Sequence, residues 1–112
     1  MTSETYQLFA EAMRRGRLVA CRYDGHDRVL APVILGHTDG EEKALTFQVG
    51  GTSGSSLAHN RWRCVFLGKV SAAVLRDGEW RTGDRHSAPQ GCVKDVDLDI
   101  NPLSPYAPRR RL

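Results

Sequence analysis

A chain of 112 residues, 40% hydrophobic and 26% charged, is sized for one globular domain with a modest core, which excludes a disordered or multidomain reading of its bulk. Its formal net charge of +3 permits an anionic ligand without demanding one. Cys21, Cys64 and Cys92 are odd in number, widely spaced and without a Cys-x-x-Cys pair, so they read as small buried thiols, reduced and unbridged, and not as a zinc site. The first ten residues lack a basic start followed by an apolar stretch. The most apolar run, 29–35, is too short to span a bilayer. The expected location is the cytoplasm, with no membrane contact.

Residues 5–15 carry Tyr6, Phe9, Ala10 and Met13 at helical spacing and predict an amphipathic helix packed on the core. Thr2 or Ser3 caps its start. Gly16 stops it after Arg14 and Arg15, which suit the negative end of the helix dipole. Residues 18–23 predict a strand, Asp24-Gly25 a hairpin turn, and 28–36 a return strand whose continuous apolar character implies burial on both faces. Pro32 marks an edge or a bulge in that strand. After the turn at Thr38-Asp39-Gly40, residues 43–49 form a third strand, with Leu45, Phe47 and Val49 inward and Ala44, Thr46 and Gln48 on the other face. A Gly/Ser-rich loop at 50–56 leads to a fourth strand at 61–67, a short turn at Gly68-Lys69 and a fifth strand at 71–75. The stretch 79–90 is polar and irregular. Residues 94–100 alternate Val96, Leu98 and Ile100 with Asp95, Asp97 and Asp99, the pattern of a half-buried edge strand.

The expected fold class is therefore mainly β: a small antiparallel SH3/Sm-like barrel of about five strands, with one N-terminal helix and an extended C-terminal strand and tail. The domain covers 1–100. The tail, 101–112, holds Pro102, Pro105 and Pro108 ahead of Arg109, Arg110 and Arg111, and is expected to run extended, tethered at most by Leu103 and Tyr106.

The order of these pieces, from about residue 8 to residue 75, resembles the WYL domain, a small Sm/SH3-like β-barrel of bacterial transcription regulators and phage-defence proteins. Arg28-Val29-Leu30-Ala31-Pro32 is similar to that family's R-x-V-x-P element, and residues 62–70, from Trp62 and Arg63 to Val70, to its W-R-x-F-x-L-x-x-I element. The namesake Trp-Tyr-Leu triplet falls at Lys43-Ala44-Leu45, and the arginine usual after the phenylalanine of the later element is Phe66. The resemblance implies a ligand-binding face for a nucleotide or single-stranded nucleic acid. It also implies a DNA-reading partner on another chain, since this one shows no second helix.

The first candidate site follows from strand alternation. Thr46 and Gln48 should lie beside Arg61 and Arg63 on the neighbouring strand, joined by Arg22 from the first, and arginines with amide and hydroxyl groups suit an anion or nucleotide. The competing reading of those residues is a solvated outer sheet face. The loop 50–56 offers amides and hydroxyls to phosphate but lacks the P-loop spacing, and reads as a hairpin connection. His26, His37, His59 and His86 read as turn residues, with no metal-binding pair. Asp95, Asp97 and Asp99 read as a solubilising strand face; a cation or a basic segment is the alternative. No nucleophile motif is present. The expected function is a non-catalytic, cofactor-free ligand-sensing or regulatory module. The alternative is a protein-interaction or homodimerisation module without a small ligand.

Overall fold

The computed structural model describes residues 2–51, 61–78, 91–100 and 110–111. Helix α1 (Glu4–Arg15) is set by its caps and its apolar stripe. Ser3 Oγ accepts from Tyr6 N at 3.1 Å, and Gly16 ends the helix at φ 63°, a left-handed conformation that glycine adopts without steric cost. Phe9, Ala10 and Met13 bury the stripe, and Ser3 N donates to Glu42 Oε2 at 2.9 Å, which pins the start of the helix to the sheet.

The strands are β1 (Leu18–Tyr23), β2 (His26–Thr38), β3 (Glu41–Gly51), β4 (Arg61–Phe66), β5 (Ser71–Arg76), β6 (Asp95–Asp99) and the two-residue β7 (Arg110–Arg111). A 3-10 turn, Leu67–Lys69, joins β4 to β5. Their order is β4-β3-β2-β1-β5, antiparallel throughout, while β6 pairs with the far half of β2 and β7 runs parallel to β6. Both tight hairpins close on two residues of positive φ, Asp24-Gly25 and Asp39-Gly40, the twist that matches right-handed strands.

The architecture is the mainly β, helix-capped one expected, but the sheet is not a closed barrel. Among the described residues β4 pairs only with β3, and β5 only with β1. The long strand β2 is shared. Its first half, to Leu30, faces β1; from Ile34 onward it faces β6. Pro32 lies between, beside a bulge at Pro32/Ile34, where a missing N–H does least harm to the ladders. Gly36 lets β6 approach: a Cβ there would stand 2.0 Å from Asp95 O.

Burial corrects three expectations. Thr46 and Gln48 do not lie on a solvated outer face; both are wholly buried, on the same side of β3 as Ala44, which packs under α1 with Leu30, Leu35 and Val65. The opposite side, with Ala31 and Phe47, is also a core, against which Val49 and Trp62 pack. Next, Asp97 and Asp99 do not form an open acidic face: Asp99 is buried, and Asp97 Oδ2 accepts from Tyr6 Oη at 2.5 Å and lies 3.1 Å from His37 Nδ1. The bulge at Leu35/Gly36 offsets the β2–β6 register that simple alternation assumes. His26 and His37 both belong to β2, not to turns.

The cysteines give the third correction. Cys64 and Cys92 form a disulfide, with Cα atoms 5.6 Å apart, and only Cys21 is a buried free thiol. Spacing of 28 residues says nothing about proximity; the β2–β6 pairing carries Cys92 to the edge strand β4. Closing such a loop restricts the unfolded chain by about 3–4 kcal/mol. Cys64 itself is exposed, not a core residue.

The expected loop beyond Gly51, the stretch 79–90, His59, His86 and the tail anchors Leu103 and Tyr106 lie outside the described residues. No helix among the described residues is long and apolar enough to cross a membrane.

Candidate functional site

Curling brings the end of the edge strand β4 near the end of β1 with no ladder between them. Phe66 N, at the end of β4, donates to Tyr23 Oη, at the end of β1, at 3.2 Å. Beside that contact lies a pocket of about 260 Å³ lined by Tyr23, Asp24 and Arg28 from the β1–β2 hairpin and by Trp62, Arg63, Cys64 and Val65 from β4. Four consecutive residues of β4 line this gap, and β4 has no strand partner but β3 among the described residues.

The floor is a polar cluster inside the core. Gln48 Oε1 accepts from Arg28 Nη1 at 2.8 Å and from Arg63 Nε at 3.1 Å, while Gln48 Nε2 donates to Gly50 O at 3.2 Å. One neutral amide oxygen thus holds two guanidinium groups together. Thr46 Oγ1 donates to Arg63 O at 3.1 Å and fixes the backbone that carries Arg63. Arg28 is 8% exposed, and among the described residues its hydrogen bonds go to neutral oxygens, those of Gln48 and, at 3.2 Å, the Tyr23 carbonyl. Its guanidinium carbon lies 5.8 Å from the Tyr23 ring centroid. No carboxylate pairs with it among the described residues. A buried cation without a counter-charge raises the local potential and favours an anion beside it.

The aromatic wall is equally defined. Trp62 is half-buried and meets Phe47 edge to face, with ring centroids 5.1 Å apart and planes at 74°. Next to the pocket, the Phe66 ring lies between Lys43 Nζ at 4.4 Å and Lys69 Nζ at 5.3 Å.

Of the sequence-predicted site residues, Thr46, Gln48 and Arg63 come together. Arg22 does not. It is bound to Asp27 at 3.2 Å and Gly25 O at 3.1 Å, and lines a second groove, with Val74 and Arg76, which shares Arg28 with the first. Arg61 pairs with Gln48 through its backbone, and its side chain is outside the described set. Arg28, Tyr23 and Trp62 were missed as site residues. The signal for Arg28 was present: it shares strand parity with Leu30, whose side chain is fully buried, so an inward Leu30 implies an inward arginine two residues earlier.

The cysteine of the core is chemically quiet. Burial pushes the Cys21 thiol up to about 11, only partly opposed by the nearby Arg28 charge. Among the described residues no three His, Cys, Asp or Glu side chains gather as a metal site. No family model, curated protein or solved structure matches the chain.

Proposed function

We propose that the chain is a non-catalytic ligand-binding module whose seam pocket takes a phosphate-bearing ligand, a nucleotide or a short single-stranded nucleic acid. The observation that carries this reading is Arg28: a buried guanidinium, held next to that of Arg63, bonded among the described residues to neutral oxygens and opening on an aromatic-lined gap. Arginine forks suit phosphate oxygens, and Trp62 and Tyr23 offer faces on which a base can stack.

The resemblance to the WYL domain supports the same reading. Its departures are Lys43 and Ala44 in the triplet and Phe66 in the later element; of these, Lys43 and Phe66 are direct cross-strand partners, with the ammonium over the ring. An aromatic at the first position and a cation at the second are replaced by a cation and an aromatic, so the pair is kept with its members exchanged. A regulatory role, with the DNA-reading domain on a partner chain, is part of this proposal. The proposed location is the cytoplasm, where a disulfide such as Cys64–Cys92 is a cycled bond and not a permanent one.

The test is fluorescence anisotropy with labelled oligothymidylate and with labelled nucleotides at two salt concentrations. Binding should weaken with salt, and Arg63→Ala should weaken it and flatten the salt slope by about one phosphate contact. Absence of binding at low salt, or an Arg63→Ala protein that binds as the parent does, refutes the reading.

A second reading, a homodimerisation module, has one observation in its favour. Val74 is 57% exposed on β5, an edge strand paired only with β1 among the described residues. Light scattering of the parent and of Val74→Lys separates the two, because only a dimer built on β5 dissociates with that change.

A further inference from the structure

We infer that the Cys64–Cys92 disulfide is a redox latch on the seam pocket, closing it for ligand when oxidised and loosening it when reduced; this rests on the anion-site reading above. Three observations carry it. Cys64 lines the pocket directly, between Arg63 and Val65. Cys64 is an exposed residue and Cys92 a half-buried one, so the bond does not lie within the packed core. Among the described residues the strand that bears the latch, β4, has a single ladder, to β3, from Lys43↔Phe66 to Gln48↔Arg61. The disulfide adds a covalent tie from this edge strand to the segment entering β6, whose Val93 is fully buried and therefore firmly seated.

The exchange is a two-electron step with a dithiol as reductant. A thiolate of the dithiol attacks Cys64 Sγ, a new mixed disulfide forms, and the Cys64–Cys92 bond breaks with Cys92 leaving as thiolate. The second thiol of the reductant then displaces Cys64, leaving the reductant as its own disulfide. Its two protons end on Cys64 and Cys92. Cys21 takes no part, being buried on the other side of the pocket floor within the helix-covered core. Once the tie is cut, the strand carrying Trp62 and Arg63 loses its covalent link to the segment entering β6, and the fraction of molecules with an assembled pocket falls.

The experiment compares the full chain, air-oxidised and after dithiothreitol, by hydrogen exchange and by anisotropy with labelled oligothymidylate. Reduction is expected to raise exchange across residues 61–66 while α1 stays protected. It is expected to weaken binding by about tenfold, the loss when about one molecule in ten keeps the pocket assembled. Reoxidation should restore both, and the Cys64→Ser, Cys92→Ser double variant should behave as the reduced chain and ignore dithiothreitol. Unchanged protection of 61–66 on reduction overturns the latch whether or not a ligand binds. Equal binding by both redox forms overturns it as well. Absence of oligothymidylate and nucleotide binding in either form, with exchange still redox-sensitive, overturns the ligand-site reading and with it the latch's role, while leaving the structural tie demonstrated.

Discussion

Replacing Gln48 with methionine isolates what the buried amide does. The two side chains are close in volume, so packing is nearly conserved, but the acceptor shared by Arg28 Nη1 and Arg63 Nε disappears. Arg63 is half-buried and can rehydrate. Arg28 cannot: at 8% exposure it keeps, among the described residues, the Tyr23 carbonyl and the Tyr23 ring. A charged hydrogen bond lost, together with a buried donor left unsatisfied, costs about 2–4 kcal/mol. For a chain of 112 residues that lowers Tm by roughly 10–15 °C. Urea denaturation with the oxidised protein measures it directly. The same logic makes a cycle. Arg28→Met removes the donor that Gln48→Met strands, so the double variant should be milder than the sum of the singles by at least ~1 kcal/mol. A Gln48→Met protein within about 0.5 kcal/mol of the parent, or strictly additive singles, would refute the claim that Gln48 organises the two arginines.

Other outcomes follow from burial and geometry. Phe9→Ala empties a fully buried ring site beneath α1 and should cost about 3–5 kcal/mol by denaturant midpoint; an unchanged midpoint would take α1 out of the core. Gly36→Val puts a branched side chain where Asp95 O and Val93 Cγ1 already stand, so β6 should separate from β2, with exchange rising at 95–99 but not at 19–23; uniform protection would contradict the close approach. The Cys21 thiol is held protonated by burial, whereas in the unfolded chain it ionises at its ordinary value near 9.0. The folded state therefore has an advantage that is whole below about pH 9 and is lost as pH rises towards 11. Cys21→Ala should flatten that alkaline decline, and native Cys21 should resist iodoacetamide at pH 8, checked by mass spectrometry; rapid labelling would contradict its burial.

Local patterns and short-range chemistry were legible in the chain. The Tyr6, Phe9, Met13 stripe with Ser3 and Gly16 at its ends fixes α1, because capping and helical periodicity involve neighbours a few residues apart. Asp24-Gly25 and Asp39-Gly40 fix both tight hairpins, because few residues accept two successive positive φ values. Pro32 announced the bulge, and the continuous apolar run around it announced a strand buried on both sides. Even the grouping of Thr46, Gln48 and Arg63 follows from pairing two adjacent strands.

Which side of β3 faces the helix was decided elsewhere. With cores on both faces, alternation of apolar and polar residues no longer marks inside and outside, and Gln48 can be buried because two arginines satisfy it. The disulfide, the Tyr6–Asp97–His37 contact and the pocket itself join residues 28 to 91 positions apart, or lie across an unclosed seam. Periodicity carries no information at those separations. They exist because β2 exchanges one partner strand for another midway along its length, and that exchange is a property of the packed sheet.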